Sequence, residues 1–264
     1  PRMKSLPRLL ALLAFAASVT FTHAQAPQAP ATKVDASAAI AKTDAAGAPN
    51  AGFQKSHDAF LARGKSGPVG VVFIGDSITA GWANPTRKHI WETYFGKWQP
   101  ANFGIGGDQT QHVIWRITNG ELDGISPKVA VLMLGTNNTG AHTAAEIAAA
   151  DKKIVEMIRA KLPQTKVLVL AVFPRGARKD REGKISDTAI AEAAKRMEII
   201  QGVNAELAKF DDGKNVRFLD INASFLGQDG KIPFSIMPDQ LHPNAAGYQI
   251  WADAMQPLLT EMMK

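Results

Sequence analysis

Ser77 follows directly on an apolar run, Val69-Gly70-Val71-Val72-Phe73-Ile74-Gly75, with only Asp76 between. A serine hydroxyl becomes a nucleophile when a base takes its proton, and a neutral histidine suits that task near pH 7. The chain offers one far downstream in Asp239-Gln240-Leu241-His242-Pro243, where Asp239 stands three residues before His242. That spacing lets the carboxylate hold the other ring nitrogen within one turn. Attack on an ester carbonyl creates an oxyanion, which needs preplaced donors. The backbone N–H groups of Ser77 and Gly107 and the side-chain amide of Asn137 are candidates, from Gly106-Gly107-Asp108 and Gly135-Thr136-Asn137. Taken alone, Ser77 reads equally as a helix cap after a strand.

These residues meet only if the fold carries them to one place. The five apolar residues after Gly70 are rich in β-branched types and suit a central parallel strand. Further strands are expected at 101–103, 128–134, 166–173 and 216–220, and helices at 53–63, 87–98, 110–118, 143–162, 187–210 and 244–263. Thr143 with Glu146 three residues on has capping-box spacing. Strand–helix alternation of this kind predicts one α/β domain, a five-stranded parallel sheet with helices on both faces. Loops at the carboxyl ends of such strands are where open sheets bind ligands, so the three glycine turns and the Asp239–His242 loop share a rim. Residues 173–186, with Arg175, Arg178, Lys179, Arg181 and Lys184, and 222–244 are longer than connections require.

Composition limits the chemistry. There is no cysteine, which excludes disulfides, thiolate catalysis and Cys-based zinc sites. His23, His57, His89, His112 and His142 show no metal-ligand spacing, so no metal is expected. Met3 to Arg8 is a short basic start, Leu9 to Val19 an apolar run too short to span a bilayer comfortably, and Thr22-His23-Ala24 offers small residues for cleavage. We expect a signal peptide over residues 1–24, export to the periplasm or outside the cell, and no stable membrane insertion after cleavage. Loss of Arg2, Lys4 and Arg8 lowers the formal net charge from +6 to +3. That excess is weak, no aromatic-interleaved basic patch accompanies it, and no nucleic-acid partner is expected. Residues 25–50 are dominated by Ala, Pro and small polar types and read as a flexible linker, with the folded domain at 51–264.

The motifs together resemble the SGNH (GDSL-type) hydrolase superfamily. Gly75-Asp76-Ser77-Ile78 is similar to its first block, with Ile78 where the family name has Leu. Asn102-Phe103-Gly104-Ile105-Gly106-Gly107-Asp108, Gly135-Thr136-Asn137-Asn138 and Asp239-Gln240-Leu241-His242-Pro243 resemble the other three. The stretch from Asn102 to Asn138, with His112, Trp115, Arg116 and Asn119-Gly120-Glu121-Leu122, is most similar to the platelet-activating-factor acetylhydrolase catalytic-subunit branch. The resemblance implies a three-layer α/β/α, flavodoxin-like fold without metal or organic cofactor. It implies Ser77 as nucleophile, Asp239 and His242 completing the triad, and Gly107 and Asn137 as oxyanion donors.

The expected activity is that of an exported serine esterase for short acyl esters, acetyl foremost, with an acetylated glycan as the expected substrate. The alternatives are a lipid-directed acetylhydrolase or lysophospholipase, and an inactive glycan-binding module on the same fold. Asp76 and Asp108 are expected to bond backbone N–H groups of their turns. Trp82 and His112 are candidate pocket-lining residues, Trp82 being equally a core side chain. Asn137 reads alternatively as a helix cap. The sequence sets no oligomeric state.

Overall fold

The structure, a computed structural model, describes residues 33–264. The expected signal peptide and the first part of the expected linker lie outside the described residues. Five parallel strands form the sheet: β1 (Val71–Gly75), β2 (Pro100–Gly104), β3 (Val129–Met133), β4 (Lys166–Leu170) and β5 (Val216–Leu219), in the order β2-β1-β3-β4-β5. Helices α1 (Ala51–Lys65), α2 (Ser77–Ala80), α3 (Lys88–Phe95), α4 (Thr110–Thr118), α5 (Ala144–Lys161), α6 (Asp187–Leu207) and α7 (Ala245–Met262) complete the framework. This is the expected three-layer α/β/α sandwich with a flavodoxin-like strand order.

Alternation along β1 shows how the layers are held. Val72 and Ile74 enter the apolar layer with Ile114, Ile117, Ile154 and Val203 from α4, α5 and α6. Val71 and Phe73 enter the opposite layer with Phe95, Tyr248, Trp251 and Leu259 from α3 and α7. A strand buried on both faces has no reason to alternate polar and apolar residues, which is why β1 and β3 are apolar throughout. The capping box of α5 forms as its spacing predicts, with Thr143 and Glu146 bonding each other's backbone N–H.

Two expectations change. Residues 34–50 pack on the domain, which runs as one compact unit from Val34. Ala36 is 1% exposed within the core, Thr110 Oγ1 donates to Ala36 O at 2.8 Å, Ile40 N donates to Gln111 O at 3.2 Å, and His142 Nε2 lies 2.8 Å from Val34 O. Small residues hold this strap mainly through their main-chain carbonyls, which composition does not reveal. The strands at 166–173 and 216–220 are also shorter than expected, ending at Leu170 and Leu219.

Candidate active site

The serine turn is built by glycine and an Asx cap. A β-carbon on Gly75 would stand 2.2 Å from Thr79 Oγ1 and 2.5 Å from Met133 O, so only glycine lets β1 turn there. Asp76 Oδ1 then accepts from Ile78 N at 2.9 Å, and Ser77 opens the short helix α2. Tyr248 Oη donates to Ile78 O, and Arg87 bridges Gly81 O to Pro243 O, the latter at 2.9 Å. The serine helix and the histidine loop are thereby tied together.

Ser77 Oγ lies 2.8 Å from His242 Nε2 across a sequence separation of 165 residues. His242 Nδ1 lies 2.8 Å from Asp239 Oδ2, and Asp239 Oδ1 accepts from His242 N at 2.7 Å and Leu241 N at 3.1 Å. Between them Gln240 adopts φ +59°, its buried amide donating to Ile232 O and Met237 O, both at 3.2 Å. That left-handed residue turns Asp239 and His242 toward each other at some backbone cost. Partial burial pushes the Asp239 carboxyl up, but hydrogen bonds from the His242 backbone and ring outweigh it and hold the group below its ordinary value. An ionised Asp239 fixes the proton on Nδ1 and leaves Nε2 free to accept from Ser77.

The second and third turns sit beside this chain of contacts. Gly107 adopts φ +71°, in the region that favours glycine. Asn137 Nδ2 donates to Asp108 O at 2.9 Å and stands 3.4 Å from Asp76 Oδ2. Asn137 lies in a short 3-10 helix and its amide links two turns, so it is not a helix cap.

Beneath the turns lies a buried charge network. Arg116 Nε is 3.0 Å from Asp108 Oδ2, and its guanidinium also pairs with Glu121 and donates to Phe103 O at 3.0 Å and Gly75 O at 3.3 Å. One side chain thus ties β1, β2 and the second turn. Asp108 therefore differs from expectation: its partners are Arg116 and Lys42 Nζ, the latter at 3.0 Å. Burial raises the Asp108 carboxyl, against the opposing pull of those two cations. His112 caps α4, its Nδ1 accepting from Gln109 N at 3.0 Å. Burial, with the nearby charges of Lys42 and Arg116, lowers its pKa to about 4 and keeps it neutral.

Trp82 is corrected to a core residue. It is 2% exposed and its ring meets Phe73, Trp91, Phe95, Tyr248 and Trp251. Aromatic type alone did not tell which way the ring turns. Arg87 and Lys42 were missed, the first within an expected helix and the second within the expected linker. A cavity of about 1100 Å³ lies beside the histidine loop, bordered by Arg175, Ile190, Ile200, Phe218, Phe234 and Gln240. Neither Ser77 nor His242 lines it. Its lining comes mainly from α6 and the two long loops.

The chain can now be set beside known proteins. The sequence model of the GDSL-like Lipase/Acylhydrolase family matches residues 73–250. Platelet-activating factor acetylhydrolase IB subunit alpha1 of Homo sapiens is 37% identical over 209 residues, covering 78% of this chain and 82% of that protein. Subunit alpha2 of Rattus norvegicus is 34% identical over 212 residues, covering 80% and 85%. Among solved structures, a GDSL-like lipase from Bacteroides thetaiotaomicron superposes with a TM-score of 0.57 at 20% identity, over 78% of this chain and 97% of that one. An acetyl xylan esterase, AlAXEase, gives 0.51 at 19% identity, over 72% and 98%. At those identities the structural likeness is one of fold.

Proposed function

The chain belongs to the GDSL-like lipase/acylhydrolase family, and from that premise we propose that it is a serine esterase using Ser77, His242 and Asp239 on short acyl esters, acetyl foremost. The observation that carries the reading is the pair of 2.8 Å contacts running Ser77 Oγ to His242 Nε2 and His242 Nδ1 to Asp239 Oδ2. Ser77 Oγ attacks the ester carbonyl carbon while His242 Nε2 takes its proton. The oxyanion is stabilised by the N–H groups of Ser77 and Gly107 and by the Asn137 side-chain amide. Collapse breaks the ester C–O bond, and His242 returns the proton to the departing alcohol. Water, activated by the same His242, then releases the acid and restores Ser77. An inactive glycan-binding module would have no use for an aligned triad.

For the leaving group the observations favour a lipid alcohol over a carbohydrate hydroxyl. The two relatives set beside the chain above, at 37% and 34% identity, are named for an acetylhydrolase of platelet-activating factor. A largely apolar cavity also adjoins the histidine loop at Gln240, the kind of space an alkyl chain fills. The carbohydrate reading rests on expected export, which is itself part of the proposal. A fluorophosphonate probe tests the core claim: wild type is labelled and Ser77→Ala is not. Equal labelling of the two, or none of either, sinks it. Acetate release separates the leaving groups, with an acetylated ether phospholipid expected to turn over faster than acetylated xylan. Cleavage of p-nitrophenyl octanoate ahead of the acetate would overturn the short-acyl assignment.

A further inference from the structure

The Gly106-Gly107 peptide carries the proposed second oxyanion donor, and what aims that peptide comes from outside the matched family region. Both glycines are exposed, and neither has a side chain to anchor it. A β-carbon on Gly106 would meet nothing within 4 Å, and one on Gly107 would meet only Lys42 Nζ, at 3.5 Å. Asp108 N donates to Ile105 O at 3.2 Å and closes the turn, but with glycine at both central positions its middle peptide can still flip unless something holds it. Lys42 Nζ does so, donating to Gly106 O at 2.6 Å and to Asp108 Oδ1 at 3.0 Å.

Gly106 C=O and Gly107 N–H belong to one planar trans peptide, so they point in opposite directions. A donor that grips the carbonyl therefore sets the direction of the N–H. It also polarises the amide, and hydrogen bonds in series strengthen one another. Lys42 is in turn placed by the strap, through the contacts of Val34, Ala36 and Ile40 and through Lys153 Nζ, which donates to Ser37 O at 2.8 Å. Arg116 reaches the same turn from inside, at Asp108 Oδ2, and leaves the Gly106 carbonyl to Lys42.

We infer that Lys42 is a positioning residue for catalysis, the strap side chain that orients the Gly107 N–H toward the developing oxyanion. This rests on the esterase reading above.

The test compares Lys42→Met, Lys42→Gln and Lys42→Arg with wild type on p-nitrophenyl acetate, with thermal melting of each. Complete loss of an oxyanion donor costs about 100- to 1000-fold in rate. Misaiming one is expected to cost Lys42→Met about 10- to 100-fold in kcat with KM within about twofold, a loss confined to the transition state. Lys42→Gln, which keeps a donor for Gly106 O without the charge, should fall between, and Lys42→Arg should restore most of the rate. A trifluoromethyl ketone, which forms an oxyanion adduct on the serine, should lose affinity for Lys42→Met by the same factor. If Lys42→Met melts at lower temperature yet keeps wild-type kcat and ketone affinity in its folded range, the role is structural and the inference fails. If Lys42→Met does not fold, Lys42→Ala, which also removes the donor to Gly106 O, takes its place, and wild-type kcat and ketone affinity in that variant overturn the inference just as directly. A wild type that neither reacts with fluorophosphonate nor cleaves the ester would overturn the esterase reading itself.

Discussion

On the serine side of the rim, Asp76, Asp108, Arg116 and Glu121 are all 0% exposed, whereas on the histidine side Asp239 and His242 keep 35% and 39% of their side chains in water. The first side is reached by tight glycine turns from β1, β2 and β3, and a strap closes over it. The second hangs on a long loop beside a cavity, with Arg178 paired to Asp239 at 3.0 Å on the open surface. The contrast suits what the proposed esterase chemistry asks of each side. Donors for an oxyanion must be immobile before charge develops, and a buried, mutually bonded network supplies that stiffness. A base that trades protons with alcohol and water has to meet both. Burying the charges costs desolvation, so the serine side stays folded only while its ions are paired.

Substitutions can break this contrast or sharpen it. The largest effect belongs to the open side: His242→Ala should lower kcat about a million-fold, as removal of a triad base does elsewhere, while leaving the melting temperature nearly unchanged. A large fall in melting temperature would show that the histidine loop bears structure as well as chemistry. Arg116→Met should do the reverse, leaving Asp108 and Glu121 buried without their shared cation and costing about 3–5 kcal/mol in urea unfolding. Unchanged stability would end the claim that the serine side depends on paired buried charge.

The pH dependence of stability probes the same side. Burial above all, opposed by the Ile78 N–H and reinforced by the charge of Asp108, pushes Asp76 up to about 7. The folded chain then holds a proton that the unfolded chain releases near pH 4. The sign follows: this contribution is fully present below the unfolded value and is lost as pH rises through about 7. Asp76→Asn removes the loss, so between pH 4 and pH 8 its stability should gain on wild type by on the order of 4 kcal/mol. Parallel urea midpoints at the two pH values would contradict a buried, proton-holding Asp76.

Asn137→Ala is expected to lower kcat by about 100- to 1000-fold with KM little changed. A change in KM alone would move Asn137 from oxyanion donor to ground-state binder. The smallest effect is expected from Arg178→Ala, whose exposed pair with Asp239 should contribute about 0–1 kcal/mol and shrink further with salt.

Much of the serine side was legible because its chemistry is local. Gly75-Asp76-Ser77, Gly106-Gly107-Asp108 and Gly135-Thr136-Asn137 each declare a strand end within three residues, and parallel order brings strand ends together. Asp239 and His242 were legible for the same reason, being one turn apart. What stayed hidden depends on direction or on backbone. Trp82 gives no sign in the sequence that its ring turns to the core. Arg116 was visible as part of a motif, but its tie to Gly75 O appears only once β1 and β2 are side by side. Lys42 was concealed most fully, since an Ala-rich stretch anchored by its own carbonyls looks the same on paper as one that is not anchored at all.

The sequence separation of 165 between Ser77 and His242 also sets a time at which the proposed activity can begin. Ser77 lies just after the first strand and His242 just before the final helix, so the pair cannot form until nearly the whole chain has been made and folded. Contacts of such long range form late, after local helices and neighbouring strands. A chain still emerging from the ribosome therefore carries a serine without its proposed base. Hydrolysis of p-nitrophenyl acetate during refolding becomes a clock for the last step, rising with the slowest phase rather than with the first helical signal.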